Sequence, residues 1–367
     1  MPPVRLPNEI ISTIFGFVDE SRTLVTLAQC CTVFFAESYA WLYRHSLLHD
    51  LPSVIKWCAA IIRHPCAARA VRSLSIRIST RQYIYHNPSL STSFWRVVAR
   101  SIRLLINLAT MDVSSLGHGK MGMPAWFFHA CGTKDTLRHI TTPNTLSPHF
   151  LAFLARHPSI TAWSQGPWDI AKPAATALTQ LISEPSTLPH LAYVSGPDSV
   201  VCKIVPGRPV THVSVSTSNL EDFVHGQLLS LAQSSAVVKK LDLQAKHGDF
   251  TAEHLTAISR YLPQLETLRV QSRESPASYL TEWVSSLGSF TALTRIRVAG
   301  CSGDSIDGVL LAQAIHAHCR TIRIVILETT TSPAFLVHEK ARTDLKTFAW
   351  SPQTCQWLPR LATVTTR

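Results

Sequence analysis

The segment GHGKMG, Gly117 to Gly122, has the spacing G-x-G-x-x-G, with which a glycine-rich turn brings backbone N–H groups against a pyrophosphate. Such a site opens a helix directly behind a strand and carries an acidic residue about 20 positions further on. Here Pro124 restarts the chain at once, and LRHITTPN downstream holds no carboxylate. A Walker-type phosphate loop fails as well, because Gly119-Lys120 is followed by Met121, which has no hydroxyl to hold magnesium. The segment is expected to be a loop between structural units, and no cofactor is expected.

His316, His318 and Cys319 have ligand chemistry. On a helix, positions two apart point to different faces, so the two imidazoles would not converge on one ion. Structural histidines near a helix C-terminus are the expected reading, and no metal site is expected. His45, His49 and Asp50 lie together, but no nucleophile motif such as G-x-S-x-G accompanies them. The two Arg-His-Pro sites, at Arg63 and Arg156, read as helix ends, a basic last turn followed by a helix-stopping proline. Trp163, Trp168, Trp283, Trp350 and Trp357 are expected as core or cap aromatics; an exposed one would suit a hot spot for a bound protein. The chain is not expected to be an enzyme.

The elements that carry these residues belong to a folded protein. Hydrophobic residues make up 46% and charged residues 16% of the 367 positions, enough apolar surface for a sizeable core. The net charge is +11 and the isoelectric point near 9.4. The basic residues are scattered, with Lys239-Lys240 the only lysine pair, so an acidic protein partner is favoured over nucleic acid. Nine cysteines, none in C-x-x-C spacing, do not make a disulfide framework. With MPPVRLPNEI lacking an apolar signal core, the expected setting is intracellular, cytoplasm or nucleus, and not secreted. Lys56 and Arg63 interrupt the best apolar stretch, so no membrane span is expected.

The pattern divides near residue 50. In 1–50 three short helices are expected: from Pro7 to about Val18, then TLVTLAQCC after the break at Asp19-Glu20-Ser21, then FFAESYAWLYRH. The first has two apolar stripes at helical spacing, Ile10, Ile14 and Phe17 on one and Ile11, Phe15 and Val18 on the other. A small three-helix unit can bury only one of them by itself.

From 51 to 367, short strand-like segments return at intervals of roughly 22–34 residues with helical patterns between them. They begin at Val71, Leu105, Thr136, Ser159, Leu188, Val210, Val237, Gln264, Ala292, Thr321 and Leu345. One strand and one helix per repeat is the pattern of a leucine-rich-repeat solenoid. Leu293, Ile296, Val298 and Cys301 fit L-x-x-L-x-L-x-x-[NC] throughout. Leu265, Leu268 and Val270 fit three positions before Arg273, as do Val238, Leu241 and Leu243 before Lys246. VSGPDSVVCKIVPGRPVTHVSVS reads as strand, turn and strand. A doubly wound α/β sheet is the competing architecture; irregular repeat lengths and the missing ligand loop weigh against it.

The first 50 residues resemble the F-box. The residues that carry this are Leu6-Pro7, Glu9-Ile10, Ile14-Phe15, Leu24 with Leu27, Cys31 with Phe34, and Leu42-Tyr43-Arg44. The remainder, with its first strand at Val71 to Ile76 and VPGRPVTHVSV from Val205, looks like the F-box/leucine-rich-repeat proteins of basidiomycete fungi. The resemblance implies a fold class of α/β, with an N-terminal three-helix F-box and then an irregular leucine-rich-repeat solenoid. It also implies a Skp-type adaptor as partner, through it a cullin, and an unknown protein target on the repeats. The function implied is substrate recognition for a ubiquitin ligase. Leu6, Pro7, Ile10, Ile14 and Leu24 are the expected adaptor-binding residues. A non-ligase interaction scaffold and an α/β enzyme are the alternatives.

Overall fold

Residues alternating apolar and polar over three to nine positions form strands here, and the amphipathic runs between them form helices. The computed structural model describes residues 6–18, 20–78, 88–117, 123–132, 135–143, 147–166, 187–245, 250–271, 280–301, 308–330, 343–351 and 356–361. The chain separates into two units, Met1–His190 and Leu191–Arg367.

The first unit opens with three helices, α1 (Asn8–Phe15), α2 (Ser21–Ala28) and α3 (Thr32–Arg44). Five strands follow: β1 (His45–Leu48), β2 (Ser73–Ile76), β3 (Thr110–Asp112), β4 (His139–Thr142) and β5 (Ala162–Gln165). Each is parallel to the next in chain order. Between them lie α4 (Leu51–Arg63), α5 (Pro65–Ala70), α6 (Pro88–Leu104), α7 (Phe127–Ala130) and α8 (Pro148–Ala155). Strand β1 was not expected, so the sheet begins inside the span the sequence gives to the helical unit. Its inward Ser46 is buried and accepts a hydrogen bond from Trp57 Nε1 at 3.0 Å. A polar side chain in that row is thereby satisfied. Aromatic rings in edge or tilted contact run through this core: Trp95 to Phe127 at 5.2 Å, Phe128 to Phe150 at 4.6 Å, Phe150 to Trp163 at 5.7 Å.

In the second unit β6 (Tyr193–Pro197), β7 (His212–Thr217), β8 (Lys240–Ala245), β9 (Thr267–Gln271), β10 (Arg295–Cys301) and β11 (Ile324–Thr330) are again parallel neighbours in chain order. Two inward rows fix the register. One is Val213, Leu241, Leu268, Ile296 and Val325; the other is Val215, Leu243, Val270, Val298 and Leu327. All ten are buried, at 2% exposure or less, so each strand presents every second side chain to one continuous core. Asp242, Arg269 and Arg297, one position off these rows, stand on the opposite face.

Strands β12 (Thr343–Ser351) and β13 (Gln356–Leu361) close the unit as antiparallel neighbours. The parallel succession of strands therefore ends at β11, and Trp350 and Trp357 are paired positions across β12 and β13. The segment read as strand, turn and strand also differs: Asp198–Ile204 is a helix, α9. Its C-terminus is held by the buried Arg208, whose guanidinium donates to the Ile204 carbonyl and so meets the negative end of the helix dipole. The turn just before Arg208 needs Gly207, at φ +73°, where a side chain would be strained.

Among the described residues of the second unit the other helices are α10 (Leu220–Asp222), a π-helical turn Phe223–Gln227, α11 (Leu228–Ala232), α12 (Ala252–Tyr261), α13 (Leu280–Leu287) and α14 (Gly308–His318). Successive repeats are also stapled by hydroxyls ahead of the strands. Thr136 donates to the Leu108 carbonyl, Ser159 to Leu137, Ser234 to Val210 and Thr321 to Leu293, all between 2.7 and 2.9 Å. These bonds satisfy backbone acceptors where the ladder ends. Lys246 and Arg273, singled out as departures from the repeat pattern, lie outside the described residues.

Candidate interaction surfaces

Pro7 sits in extended geometry ahead of α1, at φ −57° and ψ 146°. Its carbonyl accepts the N–H groups of Ile10 and Ile11 at 3.1 and 3.2 Å, and so starts the helix. The helix then divides its apolar residues in two. Ile11 and Phe15 are buried with Leu24, and Val18, Leu27, Phe34, Trp41 and Leu42 pack around them. Ile10, Ile14 and Phe17 are 48%, 49% and 81% exposed, and Leu6 is 54% exposed. Gly16 allows α3 to approach: a Cβ there would stand 3.1 Å from the Trp41 ring, closer than ordinary contact. Cys31 caps α3, its Sγ accepting the Phe34 N–H at 3.5 Å.

Of the residues expected on an adaptor surface, Leu6, Pro7, Ile10 and Ile14 are exposed, whereas Leu24 lies in the helical core at 5%. The reason is its place on α2, where it meets the Ile11 and Phe15 stripe. Phe17, not in that set, is the most open apolar side chain of the group, and the sequence signal for it was its spacing from Ile10 and Ile14.

The outer face of the second unit is different in kind. Along one row stand Tyr193, His212, Lys240, Thr267 and Arg295; along the next, Ser195, Ser214, Asp242, Arg269 and Arg297. Lys240, Arg269, Arg295 and Arg297 share these rows with one carboxylate, Asp242, which is 2.9 Å from Arg269 Nη1. Partial burial, and then the neighbouring Arg269, push the Arg297 guanidinium below its ordinary pKa, and Asp242 opposes the shift. This face therefore carries an excess of positive charge.

The residues with catalytic or ligand chemistry do not come together. His316 Nδ1 is 3.2 Å from the Ile322 carbonyl oxygen and His318 Nδ1 is 3.1 Å from that of Ala314. Buried Cys319 lies 3.2 Å from Thr321 Oγ1. Asp50 caps α4 by accepting the Ser53 N–H at 2.7 Å, which lowers the pKa of its carboxyl. Arg63 ends α4, but Pro65 begins α5 at once instead of stopping the chain. After Arg156, His157 is buried, with Nδ1 2.6 Å from the Phe153 carbonyl oxygen. Burial raises the Cys202 thiol to about 12, which leaves it an inert core residue. Trp163 and Trp283 are buried, and their indole N–H groups donate to Thr142 and to the Phe250 carbonyl. Residues 118–122 of the glycine segment and Trp168 lie outside the described residues. Among the described residues no three His, Cys, Asp or Glu side chains are grouped to hold a metal, and no helix is long and apolar enough to cross a membrane.

No family model matches the sequence, and no curated protein is similar to it. Among solved structures, the chain is similar to the leucine-rich repeat-containing protein LegL7 from Legionella pneumophila. That match has 15% identity and a TM-score of 0.48, over 77% of this chain and 88% of the other. It is also similar to a chain of the Rad7 and Elc1 complex of yeast, at 11% identity and a TM-score of 0.40, over 91% and 89%. Both TM-scores are below 0.5, and the α/β repeat fold stands on strand order and register.

Proposed function

We propose that this chain is the substrate-recognition (F-box) subunit of an SCF-type cullin ubiquitin ligase. On this reading it works inside the cell and catalyses nothing itself. A Skp-type adaptor docks on Leu6, Pro7, Ile10 and Ile14 and links the chain to a cullin. A protein target docks on the repeats and is presented for ubiquitin transfer and degradation.

The observation that carries the reading is the division of α1. A helix of eight residues keeps Ile11 and Phe15 inside while Ile10 and Ile14, and Leu6 just ahead of the helix, stay about half exposed. Exposed aliphatic side chains grouped on a helix already satisfied on its other face are the material of a helix-mediated protein contact. The F-box resemblance says which contact.

The test is reconstitution from purified components. The chain mixed with a Skp-type adaptor is expected to elute as a 1:1 complex, and to recruit a cullin N-terminal domain only when the adaptor is present. An adaptor complex that excludes the cullin would make the chain a scaffold; no adaptor complex at all would end the proposal.

A further inference from the structure

Helix α3 has a second face. Phe34, Trp41 and Leu42 pack toward α1 and α2, and positions about half a turn away on a helix point the opposite way. Those positions are Phe35, Ala36, Tyr39 and Ala40, and they line a groove of about 750 Å³ between α3 and α5. Its existence follows from side-chain size. Ala36 and Ala40, one turn apart on α3, line it with Pro65 and Ala70 of α5, and these four short side chains leave its space unfilled although the two helices are close neighbours.

The floor is aromatic and ordered. Tyr39 lies between Phe35, at 4.6 Å between ring centroids, and Tyr43, at 5.4 Å, with the His64 ring 6.2 Å away. Phe35 is 50% exposed. The rim is cationic: Arg44, Arg69 and Arg72 line the groove, and among the described residues no Asp or Glu does. Arg44 is held over the Trp41 ring at 4.6 Å, and its carbonyl accepts the Arg72 N–H at 3.0 Å, which ties the two arginines to one end. Among the described residues none of the three is in an ion pair.

We propose that this groove is a docking site for a short acidic peptide segment carrying an aliphatic or aromatic anchor. The anchor fills the space above Ala36 and Ala40 against Phe35 and Tyr39, and carboxylates on either side of it meet the three guanidiniums. Arginines beside exposed rings are also compatible with single-stranded nucleic acid. The peptide is favoured because the walls are alanine and proline and the charge is confined to three arginines of one short groove, not spread along a strand-length path. The site stands apart from the adaptor surface, which uses α1.

The probe is a fluorescent peptide, N-acetylated and C-amidated so that only side-chain carboxylates are anionic, of sequence Glu-Asp-Asp-Leu-Phe-Asp-Glu-Asp. Its anisotropy is titrated with the full chain at low ionic strength. Saturable binding is expected, weakened about tenfold or more by Arg69→Glu with Arg72→Glu. Ala40→Trp, which fills the groove and keeps its charges, should weaken it by at least the same factor of about ten. Replacing the probe's Leu-Phe by Ala-Ala should do likewise. Leu6→Ala with Pro7→Ala should leave peptide affinity unchanged, so loss of adaptor binding and loss of groove binding are read separately. No binding, binding indifferent to Ala40→Trp, or tighter binding of an oligouridylate of equal length would each overturn the proposal.

Discussion

Phe15 and Phe34 meet edge to face, with ring centroids 5.2 Å apart and planes at 75°. That contact joins α1 to α3 and fixes which side of α1 is inside. Phe15 is 2% exposed and its neighbour Ile14 is 49% exposed, so adjacent residues have opposite duties. Phe15→Ala should cost the N-terminal unit about 3–5 kcal/mol. Ile14→Ala, on the open side, should change stability by about 0.5 kcal/mol or less. Hydrogen exchange of the α1–α3 amides reads both: acceleration with the first variant, none with the second.

The same inside-and-outside logic governs the second unit. Leu268 is fully buried between Leu241 and Ile296, and Leu268→Ala should destabilise that unit by about 2–5 kcal/mol in urea unfolding. The adjacent Arg269 faces outward, its side chain 27% exposed beside Asp242. Arg269→Ala should cost no more than about 1 kcal/mol, the range of a partly exposed ion pair.

His254 links stability to pH. It is 1% exposed, and its Nδ1 accepts the Thr251 N–H at 3.0 Å at the start of α12. Burial lowers its pKa; Glu221, 3.0 Å from Nε2, opposes the shift, as Glu253 does weakly, and His225 adds to it. The folded state thus resists a proton that the unfolded chain takes up near pH 6.5, the ordinary histidine value. Its contribution is complete above that pH and is lost as pH falls from about 6.5 toward the lower folded value. Gln at position 254 can keep the reciprocal capping bond but cannot titrate. Tm measured from pH 8 to 5 should therefore fall less steeply for His254→Gln than for the native chain.

Every segment of the repeat region read as a strand is one in the structure, because alternating Leu, Ile and Val report a half-buried sheet wherever they fall. Alternation does not report direction, so the antiparallel pairing of β12 with β11 was hidden. Strand β1 was hidden too: HSLL is four residues joined directly to α3, with no turn residue to announce it. Helix α9 is hidden because Gly196-Pro197 and Pro206-Gly207 bracket only eight residues, a span that looks like a turn between strands. At the N-terminus the two stripes of α1 were legible from spacing alone. The inward position of Leu24 was not, since it depends on how α2 is placed against α1. The groove beside α3 was least legible: it needs α5, which begins at the proline that reads as a stop.

The most direct measurement is the affinity of a Skp-type adaptor for the chain by calorimetry, with Ile10→Ala and Ile14→Ala combined. Each residue has about half its side chain left to bury, roughly 0.7–1.5 kcal/mol apiece. The pair should weaken the complex by about one to two orders of magnitude, while thermal unfolding stays within about 1 °C of the native chain because both side chains face solvent. Unchanged adaptor affinity, or lost affinity accompanied by an equal loss of folding stability, would contradict the account.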